Sequence, residues 1–379
     1  MPFLPLYFQL LGVSDVGDIA LWSGLSLGVT PAVTAMLAPW WGRVGDRIGR
    51  RLLVVRSLIS FIVLMAMTAY ATKPWHVFAL RVVQGLFAGY GAVALTMAAE
   101  SAPAGRMAHA IGTVQVAQRL GPAVGPVIGG FVAEWFGLRR AFLVTSGFYA
   151  FALALLVILY REPARGVTHV RGADPPVSFR SVLAFQNFLL LMAIVFGFQF
   201  VDRSFDPVLP LYIGHAGVAP ERVPRVAGIA FSILAGAAAL GNHICVRLLA
   251  RFSPRPVITI ASGVASIPLI VFALVPNPTF VIAGAVAFGL AVGAATTATY
   301  TAAGTTLPAG AHGVGFGFLS TASLLALAFS PIASGIMANL SLRGVFILDI
   351  CVLVAVAAIV SRVMVDRAHP ERAPPVTEQ

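Results

Sequence analysis

The sequence predicts an all-α polytopic membrane protein built as two pseudo-repeated six-helix bundles. Three observations carry this. Of 379 residues, 59% are hydrophobic and only 10% are charged, where an ordinary soluble domain has about 25% charged residues. Mean hydropathy is +0.91. Landmark residues recur at a nearly constant offset of 205 along the chain. The composition excludes a disordered chain, almost any water-soluble enzyme of this length and a nucleic-acid-binding domain with a solvated basic face.

A helix that crosses the hydrocarbon needs about 20 predominantly apolar residues. Eleven stretches meet that requirement, at 18–41, 52–72, 76–99, 108–133, 140–160, 185–213, 224–248, 256–275, 278–304, 309–338 and 343–364. Residues Met1 to Leu11 have no charged leader region and no small-residue cleavage site, and they read as the end of a further span. Sixteen arginines, from Arg43 to Arg372, fall on one set of loops, and six basic residues, from Lys73 to Arg343, fall on the alternate set. The positive-inside rule places the first set, the central linker and the C-terminus in the cytoplasm. The net charge of +11 is therefore a topology signal. Cys245 and Cys351 both lie in apolar stretches, which gives no disulfide framework and no metal-ligand spacing.

The repeat is legible at several points. Pro2, Pro5, Tyr7 and Gly12 match Pro207, Pro210, Tyr212 and Gly217 at an offset of 205. The same offset links Pro126 with Pro331 and Gly130 with Gly335, and it drifts to 204 for Arg139 with Arg343 and Phe142 with Phe346. The expected organisation is an N-terminal bundle over 1–160, a polar linker over 161–184, a C-terminal bundle over 185–365 and a cytoplasmic tail over 366–379. Because Pro207 falls near the outer end of helix 7, its partner Pro2 implies that helix 1 is only partly present, with about 20 residues of it upstream of Met1.

Three motifs sit on this frame. Gly42, Arg43, Val44, Gly45, Asp46, Arg47, Ile48, Gly49, Arg50 and Arg51 run in succession between the first two complete spans. Glycines permit a tight turn there, Asp46 suits a neighbouring helix N-terminus, and the arginines suit helix C-termini or lipid phosphate. The following outward-to-inward span carries Arg81, Gln84 and Gly85. The next one carries Gly112, Gly121, Gly125, Pro126, Gly129 and Gly130. Gly121, Gly125 and Gly129 form a small-residue face for close helix contact, and Pro122 and Pro126 permit a bend.

These motifs resemble, in order, the signature loop, the fourth-helix motif and the fifth-helix antiporter motif of the major facilitator superfamily, the last as found in its drug:proton antiporters. The resemblance covers essentially the whole chain, although the second half's counterpart of the signature loop keeps Arg247, Arg251 and Arg255 and lacks the aspartate. The resemblance implies a secondary active transporter that exports small amphipathic compounds in exchange for protons by alternating access. It makes Asp46 a conformational latch. A specific metabolite or sugar exporter, and a non-transporting membrane protein, are the competing readings.

Ionisable groups at membrane depth are expensive and face cavities or partners. Asp202 and Asp206 share one helix face, with Arg203 able to pair with Asp206. Arg119, with Gln115 one turn away, lies near the midplane, where it departs from the usual family pattern, and Arg81 lies near the outer end of its span. Asp202, Asp206, Arg119, Gln115 and Arg81 are the candidates for proton coupling or for the substrate cavity. Asp349 reads as an interfacial or packing carboxylate. No nucleophile elbow, His/Asp metal cluster or phosphate loop is present, so no enzyme activity, metal or cofactor is expected. The expected partners are a small-molecule substrate, protons and the lipid bilayer of a bacterial cell membrane, with no nucleic acid and a monomeric chain.

Overall fold

In the computed structural model, the structure describes residues 3–88, 97, 107–160, 187–275, 277–307 and 312–364. The predicted linker at 161–184 and tail at 366–379 lie outside the described residues. Twelve α-helices run in order: α1 Leu4–Leu10, α2 Val16–Ile48, α3 Arg50–Ala69, α4 Pro74–Phe87, α5 Met107–Phe136, α6 Leu138–Leu159, α7 Phe188–His215, α8 Val223–Leu249, α9 Pro254–Leu274, α10 Pro278–Thr306, α11 His312–Leu340 and α12 Leu342–Val363. Nine stretches of the described chain are long and apolar enough to span a membrane. The other two spans read from the sequence fall on α4, described as far as Phe87, and on α5, where Leu120–Phe136 is the apolar stretch. Large apolar side chains such as Met36, Phe151, Ile158 and Leu274 are exposed, as expected where lipid replaces water.

The repeat is physical as well as textual. Helices start at Arg50 and Pro254, at Pro74 and Pro278, and at Leu138 and Leu342. Gly12 and Gly217 both adopt left-handed backbone, with φ of 93° and 88°, a region that favours glycine. Tyr7 stacks edge-on against Phe142 at 4.8 Å, and Tyr212 does the same against Phe346 at 5.2 Å. Each tyrosine hydroxyl donates to a carbonyl at a helix end, Tyr7 to Thr68 at 2.6 Å and Tyr212 to Val275 at 3.0 Å. In both halves this ties the first helix to the sixth and to the end of the third.

The halves meet chiefly through α2 on α11 and α5 on α8, with α1 and α2 also touching α7. Both crossings are built from glycine laid on a neighbouring carbonyl. A methyl group at Gly335 would sit 2.6 Å from the Ala20 carbonyl oxygen, and one at Gly130 would sit 2.8 Å from that of Pro224. Reciprocally, a methyl at Gly24 would strike the Pro331 carbonyl, and one at Gly228 the Pro126 carbonyl. The residues in one crossing are the repeat partners of those in the other: Ala20 with Pro224, Gly24 with Gly228, Pro126 with Pro331, and Gly130 with Gly335.

Both crossings lie at one end of the bundle, where Val16, Phe136, Val223 and Leu340 terminate their helices. Toward the other end the same faces come apart. On α8, Pro224 and Gly228 are buried, while Ala239, His243 and Val246 are exposed. On α11, Ala328, Pro331 and Gly335 are buried, while Thr321, Leu324 and Leu325 are exposed. The molecule is therefore tight at one end and open between the halves at the other.

The crossings predict a specific contrast. Gly24→Ala and Gly228→Ala are each expected to cost about 1–3 kcal/mol, the usual penalty for overfilling packed space. Gly121→Ala, which meets nothing within 4 Å, is neutral or slightly stabilising, because alanine favours helix by about 1 kcal/mol. Thermal unfolding midpoints in detergent check this, and equal midpoints for all three variants contradict it.

Candidate functional site

At the open end, α2 does not stop at the glycine-rich stretch as the motif suggested. It continues helically to Ile48, and the chain reverses at Gly49 alone, with φ 99°. The charged residues from Arg43 onward favour water, Gly42 and Gly45 stay helical, and the chain turns where glycine takes up left-handed backbone at Gly49. The side chains of Asp46, Arg47 and Arg50, and the surroundings of Gly42, lie outside the described residues. Arg51 is described, and its guanidinium donates to the Val157 carbonyl at 2.9 Å, two residues before α6 ends. Its repeat partner Arg255 donates to the Ser361 carbonyl, two residues before α12 ends. Both cations thus satisfy orphan carbonyls at a helix C-terminus.

Arg81, Gln84 and Gly85 sit in the seam between α4 and α2. Arg81 Nη1 donates to Gln84 Oε1 at 2.6 Å. The Thr30 and Thr34 hydroxyls on α2 donate to the Arg81 and Gly85 carbonyls at 2.9 and 3.3 Å. A methyl at Gly85 would sit 2.8 Å from the Thr30 carbonyl, so Gly85 sets the α2–α4 approach. Arg81 is buried and does not reach out to the surface.

The α5 motif divides between two faces. Gly130 and Pro126 make the tight crossing on α8. Gly121 and Gly125 touch no neighbour within 4 Å, and Gly129 faces the Phe3 ring. The expected close-contact face of Gly121, Gly125 and Gly129 therefore lines a cavity of about 680 Å³ bounded by the starts of α1 and α6, by α5 and by α7. Its walls are mainly apolar, and Arg203 and Asp206 stand on the α7 side. Gly112 and the side chains of Gln115 and Arg119 lie outside the described residues.

On α7, Arg203 serves both acids. Its Nε lies 3.4 Å from Asp202 Oδ2 and its Nη1 lies 3.9 Å from Asp206 Oδ2. Of the two readings of Asp349, interfacial or packing, the structure fits the second: it is completely buried in α12 and touches Ser204 of α7. Also unforeseen is an ion pair at the tight end, from Arg225 of α8 to Glu134 of α5 at 3.3 Å. It lies beside the Gly130 crossing and joins the two halves. Sequence alone had no means to pair residues on helices so far apart in the chain. Asn242 accepts from the Thr297 hydroxyl at 3.0 Å, and His243 is exposed. Among the described residues no cluster suited to a metal ion occurs.

Twelve helices among the described residues, in two pseudo-repeated bundles with lipid-facing exteriors and a cleft between the halves, define a polytopic membrane protein of the transporter-fold class. The Major Facilitator Superfamily profile matches residues 1–242 and 207–379, and the chain belongs to that superfamily. It is 30% identical over 278 residues to the multi-drug resistance efflux pump PmrA homolog of Lactococcus lactis, covering 73% of this chain and 68% of that protein. It is 29% identical over 282 residues to the multidrug resistance protein MdtG of Proteus mirabilis, covering 73% and 69%. Among solved structures, a bacterial homolog of the lysosomal transporter Spinster superposes with a TM-score of 0.76 at 17% identity, over 95% of this chain and 91% of that one. A D-xylose–proton symporter gives 0.75 at 15% identity, over 96% and 92%. At these identities the two structures establish the fold alone.

The Glu134–Arg225 pair closes the tight end across the halves, and it predicts an opening phenotype. In a chain lacking Cys245 and Cys351, Arg225→Ala and Glu134→Ala should each raise the labelling rate of Ala227→Cys by a water-soluble thiol reagent. The expected rise is about fivefold, matching the roughly 1 kcal/mol of a partly exposed pair. The charge-swapped double variant should restore slow labelling. Unchanged rates in both single variants contradict the role.

Proposed function

We propose that this protein is a secondary active transporter that exports small amphipathic compounds in exchange for protons, by alternating access between two six-helix halves. The observation that carries the reading is the pair of repeat-related glycine–carbonyl crossings confined to one end. Two equivalent contacts on either side of a central axis let one half rock against the other while both stay in register. The division into halves at 1–160 and 185–365 follows from the same repeat.

The arginine asymmetry orients the molecule. It supports the tight end outside and the open end, the linker and the C-terminus in the cytoplasm, and with them the reading of this conformation as inward-open in a bacterial cell membrane. Amphipathic cargo is supported by the multidrug efflux names of the relatives and by the largely apolar cavity with charge on one wall. The sugar-exporter alternative has only the fold of a distant symporter behind it. A single chain contains both halves and the cleft between them, which supports a monomer.

Proton coupling requires an acid that faces each side in turn. Asp202 and Asp206 supply two carboxylates one turn apart on α7, and Arg203 between them offers a counter-charge that either acid can release. Asp46, with the signature stretch, is proposed as the cytoplasmic latch.

Two experiments test this. In proteoliposomes loaded with an amphipathic fluorescent dye, an imposed pH gradient should drive dye efflux. Asp202→Asn should lower that efflux about tenfold, equivalent to roughly 1.4 kcal/mol, while downhill dye exchange persists. Survival of pH-driven efflux in both Asp202→Asn and Asp206→Asn overturns the coupling assignment, and the absence of any dye flux overturns the transporter reading. Separately, cysteines at Gly166 and Ala219 in the cysteine-free background should label from opposite sides of intact cells, Ala219→Cys from outside. Labelling of Gly166→Cys from outside rejects the orientation.

A further inference from the structure

Asp349 sits at the contact between α12 and α7, completely buried. Its Oδ2 is within hydrogen-bond distance of the Ser204 hydroxyl, and its Oδ1 is buried with no hydrogen-bond partner. The surroundings are aromatic. Phe205, next to Ser204, lies 6.3 Å from Phe346, one turn from Asp349, and Phe272 and Phe288 complete the layer at 6.4 and 5.0 Å from Phe205.

Among the described residues no cation answers this carboxyl group. Among the described residues, no basic side chain lies within ion-pair distance of Asp349. The helices packed against α12 are α7, α9 and α11. On α7, Arg203 pairs with Asp202 and Asp206, the Tyr212 hydroxyl donates to the Val275 carbonyl, and His215 is the last residue of the helix. On α9, Arg255 is engaged with the Ser361 carbonyl at the open end. On α11 the titratable residue is His312 at the first position, whose side chain lies outside the described residues. On α12 itself, Arg343 and Arg362 stand near the two ends.

The Ser204 hydroxyl can give its one proton to Asp349 or to the Val201 carbonyl, and burial without a counter-charge selects between the two. Ser204 Oγ is also 2.8 Å from the Val201 carbonyl oxygen, to which it donates as a helical serine does. A hydroxyl has one proton to give. If that proton goes to Val201, the short contact between Ser204 Oγ and Asp349 Oδ2 needs a proton from the other side. Only Asp349 can supply it. The chain of donors is Asp349 Oδ2–H to Ser204 Oγ–H to the Val201 carbonyl. The remaining Oδ1 is then the carbonyl oxygen of a neutral acid, and burying it unpaired costs far less than burying an unpaired charge.

We infer that Asp349, hydrogen-bonded through Ser204, is a proton-binding site between α12 and α7, occupied in this conformation. The site is distinct from the Arg203 cluster, because Ser204 lies on the opposite side of α7 from Asp202 and Asp206, two residues from each. Its part in transport rests on the proton-exchange reading above: the proton stays while α7 and α12 are in contact and leaves when the seam opens to water.

The test has two arms. Infrared difference spectra of the full-length protein at neutral pH, unsubstituted minus Asp349→Asn, should show the C=O stretch of a protonated carboxylic acid. In Ser204→Ala that band should persist at a shifted frequency, because the acid loses its hydroxyl partner. Absence of the band from the difference spectrum overturns the inference. In the second arm, Asp349→Asn, which preserves shape and a donor, should lower pH-driven dye efflux about tenfold and keep downhill exchange within about twofold. Undiminished pH-driven efflux alongside the band shows a permanently held proton and overturns the transport role. An unsubstituted protein that moves no dye at all overturns the transporter reading, while the infrared arm still decides the proton.

Discussion

Helices in lipid gain nothing from excluding water between them, so they associate closely only where backbone can approach backbone. Two such approaches hold this molecule together across its halves. At each, a glycine on one helix rests on a carbonyl of the other, and a second glycine returns the contact one turn away. Weak Cα–H···O contacts of this kind are worth about 0.5–1 kcal/mol each. That is enough to keep two bundles in register and small enough to let them pivot. The burial pattern, the position of the Glu134–Arg225 pair and the cleft at the other end all follow from where these crossings lie.

A second constraint comes from charge. Each described ionisable group at membrane depth has a local solution, and the solutions differ. Arg203 is shared by two acids, Arg81 bonds to Gln84, and Glu134 and Arg225 close the halves. Asp349 has no counter-charge among the described residues and is accommodated by being neutral. The same cost of desolvation produces an ion cluster, a structural seam, a gate and a proton site, depending on what the neighbouring helix offers.

Much of the fold was legible because lipid imposes a length and the chain repeats itself. Spans of twenty apolar residues and the offset of Tyr7 to Tyr212 needed no tertiary knowledge. The end of α2 was misplaced because glycines at 42 and 45 look like a turn in sequence, whereas helix persists until a left-handed φ is required at Gly49. The α5 glycines were visible, but which face meets a neighbour was not. Gly130 meets α8 and Gly125 meets open space, and nothing in their spacing distinguishes the two. Asp349 was set aside because its depth was judged from distance to the helix end, while its burial depends on Ser204, 145 positions away. Long-range pairings of this kind carry no local signal.

The central claim is that the two glycine crossings act as a shared pivot, so that the two ends open reciprocally. Pulsed electron spin resonance on the full-length protein in lipid reads this directly. Spin labels at Asp18 and Leu340 report the tight end, and labels at Met36 and Thr321 report the open end. When the pH gradient and an amphipathic dye drive the cycle, the account predicts a second population in which the Asp18–Leu340 distance lengthens as the Met36–Thr321 distance shortens. Distances that lengthen together, or an outer distance that never changes while dye is transported, would contradict the account.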